Sequence, residues 1–126
     1  MPDIIITGDS PASPLYNQGT RAGGFIWTSG MAGIDAATGA IAGPTIREQT
    51  RQSIINCAAI LAAAGASLAD VVEVGVLLAD PNDFAGLNEE WTAAFPENPP
   101  TRSVAKLGAV IPGVLVSIRM TAYHPA

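Results

Sequence analysis

The stretch VLVSIRMTAY, Val114 to Tyr123, constrains the fold of this chain more than any other segment. Counted with a period of two, it separates Val114, Val116, Ile118, Met120 and Ala122 from Leu115, Ser117, Arg119, Thr121 and Tyr123. The first set is wholly apolar and has to be covered, which a layer of helices does in a two-layer α+β domain. The second set is too apolar for bare solvent and too polar for a core. Such a face suits a subunit interface that also lines a wet pocket.

The remaining elements supply that layer. Thr45 and Glu48 form a T-x-x-E capping box, and Ile54, Cys57, Ala58 and Leu61 recur behind it at helical spacing until Gly65 supplies a stop. This predicts a first helix over Ile46 to Ala64. The β-branched run VVEVGVLLA that follows reads as a strand, and Asp80-Pro81 as the N-cap and first residue of a second helix. Phe84, Leu87, Trp91 and Phe95 fall on one stripe of that helix, which Pro96 ends. Trp91 is expected to fill the core. Two strands follow, Thr101 to Leu107 and Val114 to Tyr123, joined around Pro112-Gly113. Earlier in the chain FIWTSG, Phe25 to Gly30, reads as a strand and DAATGA as a turn, while the first 24 residues are rich in turn formers and show no obvious element.

Composition narrows the function classes. A chain of 126 residues fits a single domain, 1–126. The formal net charge is -5 and the six Lys+Arg are scattered, so the footprint of a nucleic-acid binder is missing. No run of apolar residues is long enough to span a membrane and no cleavage signal is visible, so a soluble cytoplasmic protein is expected. One cysteine forms no internal disulfide. With 48% hydrophobic and 13% charged residues, the chain has little polar material to cover its surface, and a homo-oligomer is expected. No His or Cys pattern suggests a metal and no glycine-rich loop suggests a phosphate, so no cofactor is implied.

The stretch NPPTRSVAKLGAVIPG singles out Arg102, placed behind two stiffening prolines, Pro99 and Pro100, at the start of a strand. A guanidinium offers a planar fork of donors that matches a carboxylate and stays protonated in a partly apolar cleft. An ion pair with an acidic neighbour is the structural alternative.

Four segments together resemble the RidA family of enamine/imine deaminases. SPLYNQGTRAGGFIWTSG is similar to the family's opening segment, EQTRQSIINCAAILAAAGASLADVVEV to its first helix and central strand, DFAGLNEEW to the start of its second helix, and PPTRSV to its arginine-bearing strand. The resemblance implies a chorismate-mutase-like α+β fold, a mixed sheet with two helices packed on one face. It also implies a homotrimer with three clefts between neighbouring subunits, binding a small carboxylate-bearing metabolite; from the charge and the lack of a long apolar run, neither nucleic acid nor a membrane is expected as partner. The implied reaction is hydrolysis of 2-imino or enamino acids to 2-oxo acids and ammonia. Arg102 and Ser117 occupy the catalytic positions, and Tyr16, Gly30, Asn88, Arg102 and Val104 the substrate-binding ones.

Two positions depart from that pattern. The family's glutamate beside the attacking water corresponds to Ser117, and a second glutamate two residues on corresponds to Arg119. A binding module for small carboxylates is therefore the alternative function. Tyr16 is either a group at the cleft mouth or a turn-packing tyrosine, Gly30 either a ligand-approach point or a strand end, and Asn88 either a ligand contact or a solvated surface residue. Cys57 reads as a small core hydrophobe and His124 as a solvated tail residue.

Overall fold

The computed structural model describes residues 2–125. Among these residues, the chain runs through β1 (Asp3–Ile5), β2 (Gly19–Ala22), β3 (Phe25–Thr28), β4 (Met31–Ala32), α1 (Ile46–Ala63), β5 (Val71–Leu78), α2 (Phe84–Ala94), β6 (Thr101–Lys106) and β7 (Val116–Tyr123). The strands form one 7-stranded sheet of order β1-β2-β3-β7-β5-β6, in which β4 takes over from β3 along the edge of β7. β5 and β6 are parallel and joined through α2; every other pairing is antiparallel. The result is the α+β domain expected from the pattern of elements, with the mixed sheet that the family resemblance implies.

The two-period of β7 holds. Val114, Val116, Ile118, Met120 and Ala122 are all buried, and the last four form one core with Ile26, Val74 and Val76 of the sheet, Ile54, Cys57, Ile60 and Leu61 of α1, and Leu87 of α2. Each such aliphatic side chain contributes about 1.5–3 kcal/mol by leaving water, enough in sum to fix which sheet face the helices cover. The capping box is formed in both directions, with Glu48 N–H donating to Thr45 Oγ1 at 3.2 Å and Thr45 N–H to Glu48 Oε1 at 3.3 Å. At the other end Gly65 takes a φ of 83°, and Ala66 N–H returns to Leu61 O at 2.9 Å.

Several elements differ from expectation. The turn-rich beginning carries β1, a short DII strand, and β2, whose strand character comes from pairing, since GTRA has little strand propensity of its own. A 3₁₀ turn, Pro81–Asp83, precedes α2, so Asp80 caps that turn, its Oδ1 accepting from Asn82 N–H at 2.9 Å. β7 begins at Val116 because Gln49 of α1 intercepts the chain before it: its Oε1 accepts from Leu115 N–H and its Nε2 donates to Gly43 O and Gly113 O. His124 is no loose tail residue. Its imidazole lies 3.4 Å from Asp70, its N–H donates to Gly24 O, and its carbonyl accepts from Arg21.

Candidate functional site

The strand registers decide which side chains can meet. On β5, Val74, Val76 and Leu78 are buried toward the helices, which leaves Glu73, Gly75 and Leu77 for the open face. Arg102, Val104 and Lys106 of β6 stand opposite the first set and therefore lie on the helix side. Ser103 and Ala105 stand opposite Gly75 and Leu77, as do Arg119 and Ser117 of β7, and these belong to the open face. One chain thus places Arg102 and Ser117 on opposite faces of its sheet.

On the helix side, Arg102 is held by α2. Its Nη1 donates to Asn88 Oδ1 at 2.8 Å, and its guanidinium carbon lies 5.0 Å from the centre of the Trp91 ring and 5.6 Å from that of Phe84. Phe84, Asn88 and Trp91 recur at spacings of four and three, so α2 presents all of them along one edge. Two cation–π contacts, each contributing about 0.5–2 kcal/mol, fix the plane of the fork, and one hydrogen bond leaves its other donors available. Among the described residues no carboxylate pairs with Arg102, so the structural ion pair is not the arrangement found. Asn88 is its hydrogen-bond partner rather than a merely solvated side chain. Trp91, expected in the core, packs against it from the rim: it is half-buried, and its ring lies beneath this guanidinium; Phe84, the other aromatic on that edge, is 45% exposed. Next to them a groove of about 460 Å³ is lined by Pro81, Phe84, Val104 and Lys106.

On the open side, Gly30, Gly75, Ser103, Ser117 and Arg119 line a basin of about 150 Å³. A Cβ on Gly30 would lie 2.9 Å from Ser117 Oγ, so the glycine lets that hydroxyl lie against the backbone. Tyr16 is 53% exposed, bridged to Ser13, and lines neither the groove nor the basin. The structure brings Gly30 and Ser117 together, Arg102, Asn88 and Val104 together on the other face, and leaves Tyr16 apart. The aromatic clamp, Ser103 and Gly75 escaped sequence reasoning; the spacing of Phe84 and Trp91 around Asn88 was the available signal, but the two aromatics were read there, with Leu87 and Phe95, as one apolar stripe.

The cations sort by the same geometry. Arg47 and Arg51 of α1 pair with Glu89 and Glu90 of α2 at 2.6 and 2.7 Å, and Arg21 donates to two backbone carbonyls. Its hydrogen bond to Arg47 holds the Glu89 carboxyl below its usual range. Of the remaining cations, Lys106 lines the groove, Arg119 lines the basin, and Arg102 lies against Phe84, whose ring borders the groove. Cys57 is fully buried, its thiol pushed up to about 12 by burial, which removes it from nucleophilic chemistry. Among the described residues no helix is long and apolar enough to cross a membrane, and no group of three or more His, Cys, Asp or Glu is placed to hold a metal ion.

A family model described as Endoribonuclease L-PSP matches residues 7–124. The chain belongs to that family, the RidA family that its segments resemble. It is 41% identical over 98% of each chain to a RutC family protein of Pyrococcus horikoshii. It is also 33% identical to the 2-iminobutanoate/2-iminopropanoate deaminase of Rattus norvegicus, over 94% of this chain and 88% of the rat protein. Among solved structures, E. coli TdcF with bound serine superposes with a TM-score of 0.88 at 32% identity, covering 97% of this chain and 98% of that one.

Proposed function

We propose that this protein hydrolyses reactive 2-imino or enamino acids to 2-oxo acids and ammonia, in the cytoplasm, within clefts shared between the subunits of a homotrimer. The observation that carries this reading is the Arg102 guanidinium, fixed in plane by Phe84, Trp91 and Asn88 with no carboxylate of its own. A 2-imino acid brings the missing carboxylate, and the clamp then fixes the position of the adjacent C=N carbon. Water adds to that carbon of the protonated imine, the carbinolamine passes a proton to its nitrogen, and the C–N bond breaks to leave the oxo acid and ammonium. Such an imine is already electrophilic, and positioning supplies several kcal/mol, about 7–11 in the best intramolecular cases. Water would be placed by Ser117 and neighbouring backbone groups. Kinship with a named imine deaminase and with a structure holding a small amino acid supports the substrate class.

The trimer finds support in the open sheet face. Phe25, Trp27 and Tyr123 form an exposed aromatic cluster there, with Phe25 5.0 Å from Tyr123 and 5.9 Å from Trp27 between ring centres. RNA cleavage, which the family's description names, gains nothing from the charge distribution, because the cations left unpaired sit at two small hollows rather than along a stripe.

A non-catalytic module that captures 2-oxo acids is the second reading, and Ser117 in place of a glutamate favours it. One assay separates the two. 2-Iminobutyrate generated in situ is followed with wild type, Arg102→Ala and Ser117→Glu. Wild-type hydrolysis that disappears with Arg102→Ala supports the deaminase. Hydrolysis seen only with Ser117→Glu, where a general base is worth about 10²–10⁴-fold, supports the binding module. No hydrolysis by any of these folded proteins would sink the deaminase reading.

A further inference from the structure

The open-face basin holds a cation that hydrolysis of a simple imino acid does not use. Arg119 leaves β7 and lies across Gly75 of β5: a Cβ at Gly75 would sit 3.1 Å from Arg119 Nε and 3.3 Å from its Cγ. Glycine at that point is what opens a trough for the side chain. The same register row continues from Arg119 over Gly75 to Ser103 on β6. Ser117, two residues back on the same face of β7, adds a second hydroxyl to the basin. Among the described residues no carboxylate claims this guanidinium. Glu73, two positions along β5 on the same face, instead accepts from Thr121 Oγ1 at 3.4 Å, and among the described residues no ion pair includes Arg119.

A guanidinium with its fork unused, beside two hydroxyls in a hollow of about 150 Å³, matches a compact anionic group in both shape and charge. We propose that this basin is a second anion subsite, which selects imino and oxo acids carrying another carboxylate at the far end of the side chain. Arg102 takes the carboxylate next to the reacting carbon and Arg119 the distal one. This rests on the reading given above, that a second copy brings its Arg102 to this open face. The departures from the family pattern fall where such a group needs them. Glutamates at 117 and 119 would repel a distal carboxylate; a hydroxyl and a guanidinium reverse the sign of the field there.

Calorimetry at physiological ionic strength tests the subsite with 2-oxobutyrate, which has one carboxylate, and with 2-oxoglutarate and 2-oxoadipate, which have two. Wild type should bind at least one dicarboxylate roughly tenfold or more tighter than 2-oxobutyrate, the factor expected of one added charge-assisted contact. Arg119→Gln should bring that ratio close to one, and Arg102→Lys should weaken all three ligands. Equal affinities in wild type, or a preference that survives Arg119→Gln, overturn the subsite while 2-oxobutyrate binding that needs Arg102 keeps the underlying reading intact. Loss of all binding in wild type, or affinities indifferent to Arg102→Lys, overturns both.

Discussion

At Arg102 the useful property is a plane rather than a charge. Trp91 and Phe84 fix the orientation of the guanidinium, and Asn88 takes up one donor, so the fork is set before any ligand arrives. Sequence reading identified the arginine because its chemistry is intrinsic to the side chain. It placed Trp91 in the core, against which the ring does pack, and missed the guanidinium above it, because an aromatic at helical spacing looks the same with or without a cation over its exposed part. Cys57 is the opposite case, with residue type and burial in agreement. Its Sγ lies 3.3 Å from Ile118 O, and burial raises the thiol to about 12. In the unfolded chain the same thiol ionises at its ordinary value, about 8.5. Its contribution to stability is therefore complete below that value and is lost as pH rises toward about 12. Urea melts at rising pH should show wild type losing stability relative to Cys57→Ala, by up to about 1.4 kcal/mol per pH unit above the unfolded pKa. A constant difference across pH 8 to 10 would show that the folded protein ionises this thiol without penalty.

Elements were legible where one strong local signal was enough. The capping box and the glycine stop bounded α1 to within a residue, and β-branched content located β5. β2 was hidden because GTRA sits among turn formers, and β1 because three residues, DII, are too few to show a period ahead of a turn-rich stretch, yet Gly23-Gly24 between Ala22 and Phe25 is a two-residue hairpin connection of the type that pairs β2 with β3. Short β4 was also invisible, since two residues carry no periodicity, but the chain just after it packs directly on the backbone of α1. A Cβ on Gly33, just after β4, would lie 2.5 Å from the carbonyl oxygen and 2.6 Å from the Cα of Gln49. Backbone cannot yield as a side-chain end does, so Gly33→Ala should push α1 outward and destabilise the fold by about 1–3 kcal/mol. The denaturant midpoint measures it. Because Gln49 also holds Gly43, Gly113 and Leu115, the same shift should disturb the entry to β7 and with it Ser117. An unshifted midpoint would mean that α1 has slack at this point.

For the whole molecule the decisive fact is that the two halves of the candidate site face opposite ways. Periodicity gave the two faces of β7, but β6 lies at the sheet edge with its side chains largely exposed, so no burial pattern in the sequence could tell which face carries Arg102. If ligands are held between Arg102 of one subunit and the Ser117 basin of the next, each interface is heterologous and a ring of three closes it. Two variants that are each inactive then rescue one another. Arg102→Ala destroys the helix-side half of every site, and Ser117→Trp fills the open-face half. In homogeneous trimers neither leaves a complete site. After co-expression and random assembly, about a quarter of sites draw their arginine from one variant and their open basin from the other. Calorimetric titration with 2-oxobutyrate should count those recovered sites, and sedimentation of the same sample should give the trimer mass. Trimers that bind nothing after mixing would show that Arg102 of one chain and the Ser117 basin of another do not make one site, and a monomer at micromolar concentration would remove the shared cleft altogether.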